Sequence, residues 1–383
     1  MLRNNIIYLF FLLPVLSSCI KPFDPEIRKT DSVKYVVSGQ INDGEELQSI
    51  EISSTSNLET AGYLPEEGCT VEVVASTGER FAFVPQGNGL YKGRIAQSYF
   101  VPGAGFKVEI ITAAGDNLVS AYDYYVEGPE LGNISWEVDT LVSNGLAGTV
   151  AGLRFFTDLE ASMAHSRLYR WEVIETWEYH ADYPLIWYYD GHVQQVWPPD
   201  YSRKVCWKTE QVPYVFTLNT NSLTENRFQH FPLHFVSSRT SRLAYGYSVE
   251  IRQHALSEAA FAYWERMRLN NEQNAGLFEQ QPVPVRGNLT NVNGSKEVLG
   301  FFGVGSMRKQ RLFVEDSQGL TLDFSTFCNP NVLLKGLREI RPYDYPAYLQ
   351  GDQFGYSLVL LNEECVNCLA LGGTNVKPDF WPR

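Results

Sequence analysis

The chain has 383 residues, a net charge of −13 and 44% apolar residues. That acidic balance argues against a nucleic-acid binder and against a basic membrane-surface patch. Beyond the first residues, no run approaches the roughly 18 apolar residues that a spanning helix needs.

The N-terminus carries Arg3, an apolar run from Ile6 to Leu16, and then Leu16-Ser17-Ser18-Cys19. The run has the length of a signal-peptide core and is too short to cross a bilayer. Small residues ahead of a cysteine match a bacterial lipoprotein cleavage box. The expected chemistry is diacylglycerol transfer to the Cys19 thiol, cleavage before Cys19, and acylation of the new amine. Residues 1–18 are then a lipoprotein signal peptide, and the bilayer is a partner through the N-terminal anchor. Each buried acyl methylene contributes about 0.8 kcal/mol to such an anchor. Residues 19–32 read as a tether, because Pro22, Pro25 and alternating charges leave no apolar surface to bury.

From Val33 the pattern alternates. Tyr35–Ile41, Leu47–Ser53, Thr70–Ala75, Phe81–Val84, Leu90-Tyr91, Phe106–Ile110 and Leu118–Tyr125 are short strand candidates separated by Gly, Asn and Asp turns. The spacing predicts an immunoglobulin-like or prealbumin-like β-sandwich over 33–128, since parallel α/β units need long crossovers for which there is no room. Residues 134–341 predict a larger β-rich domain. Within it, Tyr169–Tyr179 alternates, with Trp171, Val173 and Trp177 on one side and Glu172 and Glu178 on the other. Pro232 marks Phe231–Val236 as an edge strand. One helix is expected near 257–270, capped by Ser257 and stapled by Leu256 against Phe261. Residues 342–383 read as an irregular tail packed on the second domain. The fold class is thus mainly β with at least one packed helix.

Catalytic and cofactor patterns are missing from the sequence: no Gly-x-Ser-x-Gly elbow, Walker loop or Rossmann fingerprint occurs. No cofactor, metal or catalytic residue is therefore expected. His230 and His234 are separated by Pro232, which rules against a helical ligand pair. Five cysteines remain after Cys19, so at least one lacks an intrachain partner; Cys69, in an alternating segment, is the expected buried free thiol. Cys365 and Cys368 read as a local disulfide in an oxidising compartment, with reduced thiols, zinc joined by Cys206 and Cys328, and a redox centre as alternatives. Trp187, Tyr188, Tyr189, Trp197, Tyr343, Tyr345 and Tyr348 fall in expected loops, where aromatic side chains give large contact area at little entropic loss. They are the candidate contacts to a partner or ligand.

The chain resembles the DUF4249 lipoproteins of the Bacteroidetes. The resemblance rests on Cys19, on Tyr35-Val36-Val37-Ser38-Gly39, and on Arg286-Gly287-Asn288-Leu289-Thr290-Asn291 followed by Val298-Leu299-Gly300-Phe301-Phe302. It also rests on the tail from Cys365 to Trp381. It implies an outer-membrane accessory lipoprotein, facing the cell surface or else the periplasm, whose gene neighbours a TonB-dependent outer-membrane transporter. It carries over no catalytic residues. A non-catalytic accessory or binding subunit of such a transporter is the expected function, with a structural envelope protein or an extracellular hydrolase as alternatives.

Overall fold

The computed structural model describes residues 33–56, 62–142, 148–273, 285–315, 319–351 and 358–382. The signal peptide, Cys19 and the tether over 19–32 lie outside the described residues. Among those described, no helix is long and apolar enough to cross a membrane. The fold is mainly β, built from several sheets and a packed helix.

The first unit is one hydrogen-bonded path that curls almost shut. It runs from Leu289–Asn291 through Asn117–Ser120, Gly105–Ile111, Thr70–Ala75, Arg80–Gly87, Leu90–Arg94 and Leu47–Ser54 to Tyr35–Asn42 and Val298–Gly305. Arg80–Gly87 is the corner. Its first half pairs with Val71–Val74, and its second half pairs with Leu90–Lys92 in the other layer. Alternation sends Val37, Ile50, Ile52, Val71, Val73 and Val108 inward to one core.

The expected boundary at 128 is corrected by this path. Two strands of the first unit come from residues 289–305, far along the chain. Val298–Gly305 runs parallel to Tyr35–Asn42, and Leu289–Asn291 pairs with Asn117–Ser120. Asn288 ties the two returning strands together, giving its Nδ2 hydrogen to Phe302 O at 2.7 Å and accepting from Phe302 N at 3.0 Å. Gly300 has φ +97°, and a Cβ there would lie 1.9 Å from Val37 O, so only glycine fits this close approach.

The second unit stacks two sheets. One holds Ile134–Val142, Thr149–Glu160 and Arg227–Ser237, the last an edge strand that accommodates Pro232. The other holds Val205–Gln211, Leu168–His180, Gly246–Ala255 and Met307–Val314, with Phe216–Asn219 beside the start of Leu168–His180. Trp171, Val173, Tyr247 and Ile251 meet Leu153, Phe155 and Val236 between the sheets. The helix Glu258–Gln273 starts where Ser257 Oγ accepts from Ala260 N at 3.1 Å. Leu256, Ala260 and Phe261 pack with Leu168 and Phe301, which places the helix where the two units join.

The tail is not irregular throughout. Ala347–Gly351 and Leu358–Leu361 are strands of a five-stranded satellite sheet with Val193–Asp200, Leu185–Tyr189 and Asn331–Val332. The expected division at 341–342 therefore runs through one sheet. Backbone bonds between Trp207 and Thr374 in both directions fix the end of the chain to the second unit.

Candidate functional site

A cleft of about 590 Å³ opens between the two units. Its floor is the outward face of Leu168–His180 and Gly246–Ala255. Register sets Arg170 opposite His254 and Glu172 opposite Arg252, so alternation delivers a quartet of ionisable side chains to one spot. The far wall comes from the first unit through Ser38, Gln40, Asn42 and Gln48, and Trp264 and Met267 of the helix form a third side.

The floor is buried although it is charged. Arg170 and His254 are each 4% exposed. Arg170 Nη2 donates to Glu172, and the guanidinium lies 4.0 Å from the Trp264 ring centroid, a cation–π contact. His254 Nε2 is 3.5 Å from Glu172 Oε2, longer than a good hydrogen bond. Arg252 Nε donates to Glu250 at 2.8 Å, and Arg311 donates to the other oxygen of Glu250 at 2.7 Å. Burial alone would raise the Glu172 carboxyl, but Arg170 and His254 outweigh it and hold it well below its ordinary value. Burial depresses His254 more than Glu172 lifts it, so the imidazole is neutral near pH 7.

Four buried nitrogens of the cleft residues have no hydrogen-bond partner among the described residues: Arg170 Nε and both ring nitrogens of His254 on the floor, and Gln40 Nε2 on the far wall. Buried polar groups are nearly always paired, so such a cluster calls for an explanation. The rest of the far wall is fixed internally. Gln48 accepts from Asn42 N at 2.9 Å and donates to Asn42 O at 2.8 Å, and Asn42 Oδ1 caps the turn through Gly44 N and Glu45 N. At the rim, Arg308 Nη1 reaches both oxygens of Asp43 at 3.0 Å while Tyr125 OH donates to Asp43 at 2.9 Å. These contacts bolt the units together beside the opening.

A second charged cluster occupies the opposite face of the same strand. Glu175 points into the core of the second unit, accepting from Arg242 Nη1 at 2.6 Å and Tyr247 OH at 2.9 Å, with His234 Nε2 at 3.3 Å. Burial pushes its carboxyl up, and His234, Arg242 and Tyr247 together outweigh burial and leave it below its ordinary value.

The aromatic residues expected in loops lie mostly on strands. Leu185–Tyr189 carries Trp187, Tyr188 and Tyr189 and pairs with Ala347–Gly351, setting Tyr188 opposite Tyr348. Trp187, Tyr189 and Tyr345 pack half-buried around Ile340, Ala347 and Leu349, with Tyr189 and Tyr345 in edge contact at 5.3 Å. Tyr348 faces Leu361 and Cys365 on the other side. Trp197 and Tyr343 stand out at 78% and 75% exposure. Four of the seven thus enter the packing around the sheet, Tyr188 is half-buried on its strand, and Trp197 and Tyr343 face solvent.

The local Cys365–Cys368 bridge is corrected. Cys368 bonds Cys206, with Cα atoms 5.8 Å apart, and Cys365 bonds Cys328 at 4.5 Å. Cys365 closes one 3-10 turn and Cys368 opens the next, so their side chains enter different cores. Cys69 is free and buried. His230 packs against Phe156 in a tilted ring contact while His234 faces Glu175, so the two do not converge. Among the described residues, no group of three or more His, Cys, Asp and Glu is placed to hold a metal.

Sequence reasoning missed the cleft floor. Arg170, Glu172, Arg252 and His254 alternate as a solvated strand face does, and only the helix and the first unit, arriving from elsewhere, bury them.

A family model described as a domain of unknown function (DUF4249) matches residues 20–311, stopping short of the Cys365–Trp381 tail. No curated protein matches the chain. Among solved structures, a DUF4785 family protein from Legionella pneumophila subsp. pneumophila is similar at 12% identity with a TM-score of 0.17. The alignment covers 57% of this chain and 51% of that one, so the chain spans about half the length of that structure. A likeness of that size carries no argument about fold or function.

Proposed function

The chain belongs to the DUF4249 family, and on that premise we propose that it is a lipid-anchored, non-catalytic binding protein of the outer membrane. In this reading it serves as an accessory subunit of a TonB-dependent transporter and holds a small polar ligand in the cleft between its two β units. The observation that carries the reading is the set of buried, unpartnered nitrogens of Arg170, His254 and Gln40 lining a cleft of about 590 Å³. Polar groups that converge in a concave site fix a ligand's orientation. The transporter is the partner that the family resemblance implies. Trp197, exposed on the satellite sheet, and Tyr343, exposed on the 3-10 turn Pro342–Asp344, are the side chains offered for that contact. Acylated Cys19 would hold the complex at the membrane.

The test is affinity recovery of the native lipoprotein from solubilised outer membranes, beside a Cys19→Ser form. A TonB-dependent transporter should be recovered at near-equal ratio with the native protein, and Cys19→Ser should wash from the membrane without detergent. Recovery of no transporter across several mild detergents would refute the accessory role. A Cys19→Ser form that still resisted washing would refute the anchor.

A further inference from the structure

A second cavity, of about 410 Å³, lies in the second unit and shares no lining residue with the cleft. That volume is within the range of small-ligand sites. Register builds its floor. Val205–Gln211 pairs with Leu168–His180 so that Lys208 stands opposite Trp177 and Glu210 opposite Glu175. Paired positions share a face, so alternation sends Lys208 and Glu210 to the side on which Trp177 and Tyr179 point. One wall is the turn that follows Arg227–Ser237 and carries Arg239 and Arg242. The other is the segment 323–328, which brings Phe324 and Phe327. This segment is tied at both ends. Asp323 N donates to Ser238 O at 2.9 Å, and Cys328 is bonded to Cys365. Asn362 Nδ2 also donates to Phe327 O at 3.3 Å. Leu371 adds a further apolar side chain, anchored through the Cys206–Cys368 bridge just before it. The cavity is thus formed before a ligand arrives, and binding does not have to order its walls.

Charge narrows the class of ligand. The ionisable groups that line the cavity and are charged near pH 7 are Lys208, Arg239 and Arg242 against Glu210 alone. Lys208 pairs with Glu210 at 2.7 Å, and Arg242 pairs with the buried Glu175 at 2.6 Å. With Glu175 counted, three cations meet two carboxylates, an excess of one positive charge in a chain of net charge −13. Asp323 does not line the cavity and is exposed to solvent, which screens it. The cations are also within reach of solvent. The side chains of Lys208 and Arg242 are 31% and 32% exposed, and Arg239 is exposed. Lys208 and Arg242 lean on Trp177, their charged groups 5.9 and 5.0 Å from its ring centroid, which steadies the stems and leaves the heads partly in water. Phe327, 52% exposed, is the aromatic side chain most open to whatever enters.

We propose that this cavity binds an amphipathic monoanion. Its anionic head lies among Lys208, Arg239 and Arg242, and its apolar body lies against Phe324, Phe327 and Leu371. The site is separate from the cleft between the units and does not depend on a ligand there.

The experiment is fluorescence titration of the full mature chain with anilinonaphthalene sulfonate and with phenylnaphthylamine, which has the same rings and no sulfonate. The sulfonate should bind saturably, roughly tenfold or more tightly than the amine, because its head takes charge-assisted hydrogen bonds. Inorganic sulfate at equal concentration should not displace it, since a head alone buries no apolar surface. Lys208→Gln should weaken the sulfonate about tenfold and leave the amine within about twofold. Phe327→Ala should weaken both by about threefold or more. Arg94→Gln, on the surface of the first unit, should change neither. Thermal melts check that each variant is folded; should Lys208→Gln fail, Arg239→Gln at its exposed position takes its place. Equal binding of the two probes, or displacement of the sulfonate by equal sulfate, would overturn the proposal. So would a sulfonate that binds tightly yet is indifferent to Lys208→Gln and Phe327→Ala, which would place its site elsewhere.

Discussion

The strand Leu168–His180 carries two buried carboxylate clusters on its opposite faces, and they differ in completeness. Inside the second unit, Glu175 is met by Arg242, Tyr247 and His234, and no buried polar atom of that group lacks a partner. On the cleft side, Glu172 is met by Arg170 and His254, yet Arg170 Nε and both nitrogens of His254 have none. Residue types and the direction in which each carboxyl is displaced are alike in the two clusters, although Glu175 is the more deeply buried of the two carboxylates. A charged group enclosed in a core must be satisfied by the chain, because nothing else can reach it. On the cleft side the chain leaves that accounting open. Completeness separates the core cluster from the cleft cluster.

The largest expected effect breaks the complete cluster. Glu175→Ala removes the acceptor of the buried Tyr247 and His234 and the partner of the partly exposed Arg242, and should lower unfolding free energy by about 2–5 kcal/mol. Denaturant titration measures this, and a loss under about 1 kcal/mol, as at an ordinary surface pair, would remove Glu175 from the structural frame. Next comes the bridge sealing that same core. Cys206→Ser with Cys368→Ser should cost about 2–5 kcal/mol, and its unfolding curve should show the tail from Thr374 loosening first, by hydrogen exchange at Trp207.

Acidification separates the clusters by stage. His254 is held below its ordinary 6.5 in the folded chain, so the unfolded chain takes up this proton first and stability begins to fall as pH drops through 6.5. Arg170, Glu172 and Arg252 are the charged groups around it. Glu172 and Glu175 are held below their ordinary 4.5, so their contribution is present above 4.5 and is lost as pH falls through their folded values. Melting temperature should therefore decline in two stages below pH 7. His254→Phe should flatten the first stage and leave the second; an unchanged first stage would assign it to another group.

The smallest effect is the most discriminating. At pH 7, His254→Phe exchanges two unpartnered nitrogens for a ring of similar shape and should change stability by less than about 1 kcal/mol, in either direction. His234→Phe deprives Glu175 of a donor and should cost about 1–3 kcal/mol. Equal losses at the two histidines would erase the contrast between the faces.

Much of the first unit was legible in its alternating strands. So was the helix start at Ser257, where the cap and the Leu256–Phe261 staple appear as read. The edge position of Phe231–Val236 followed from Pro232. What was not legible is long-range. The segment from Asn288 to Val304 reads as a turn and a strand, and nothing local says that it closes a unit begun 250 residues earlier. Cys365 and Cys368 are close in sequence, and only the two cores beneath them send the side chains apart. The aromatic segments at 187–197 and 343–348 lacked clean periodicity, so their pairing into one sheet was hidden. The cleft face was the least visible part. Arg170-x-Glu172 looks like the wet side of a strand until Trp264 and Gln40 are brought over it.

A high-resolution crystal structure of the mature protein extracted from its own outer membrane tests the central claim most directly. The account predicts non-protein density in the cleft, with oxygen atoms within hydrogen-bond distance of Arg170 Nε and a His254 nitrogen, beside a Glu175 cluster closed by protein groups alone. Arg170 Nε and His254 found bonded to side chains of the chain itself, with the cleft filled by those side chains, would contradict it.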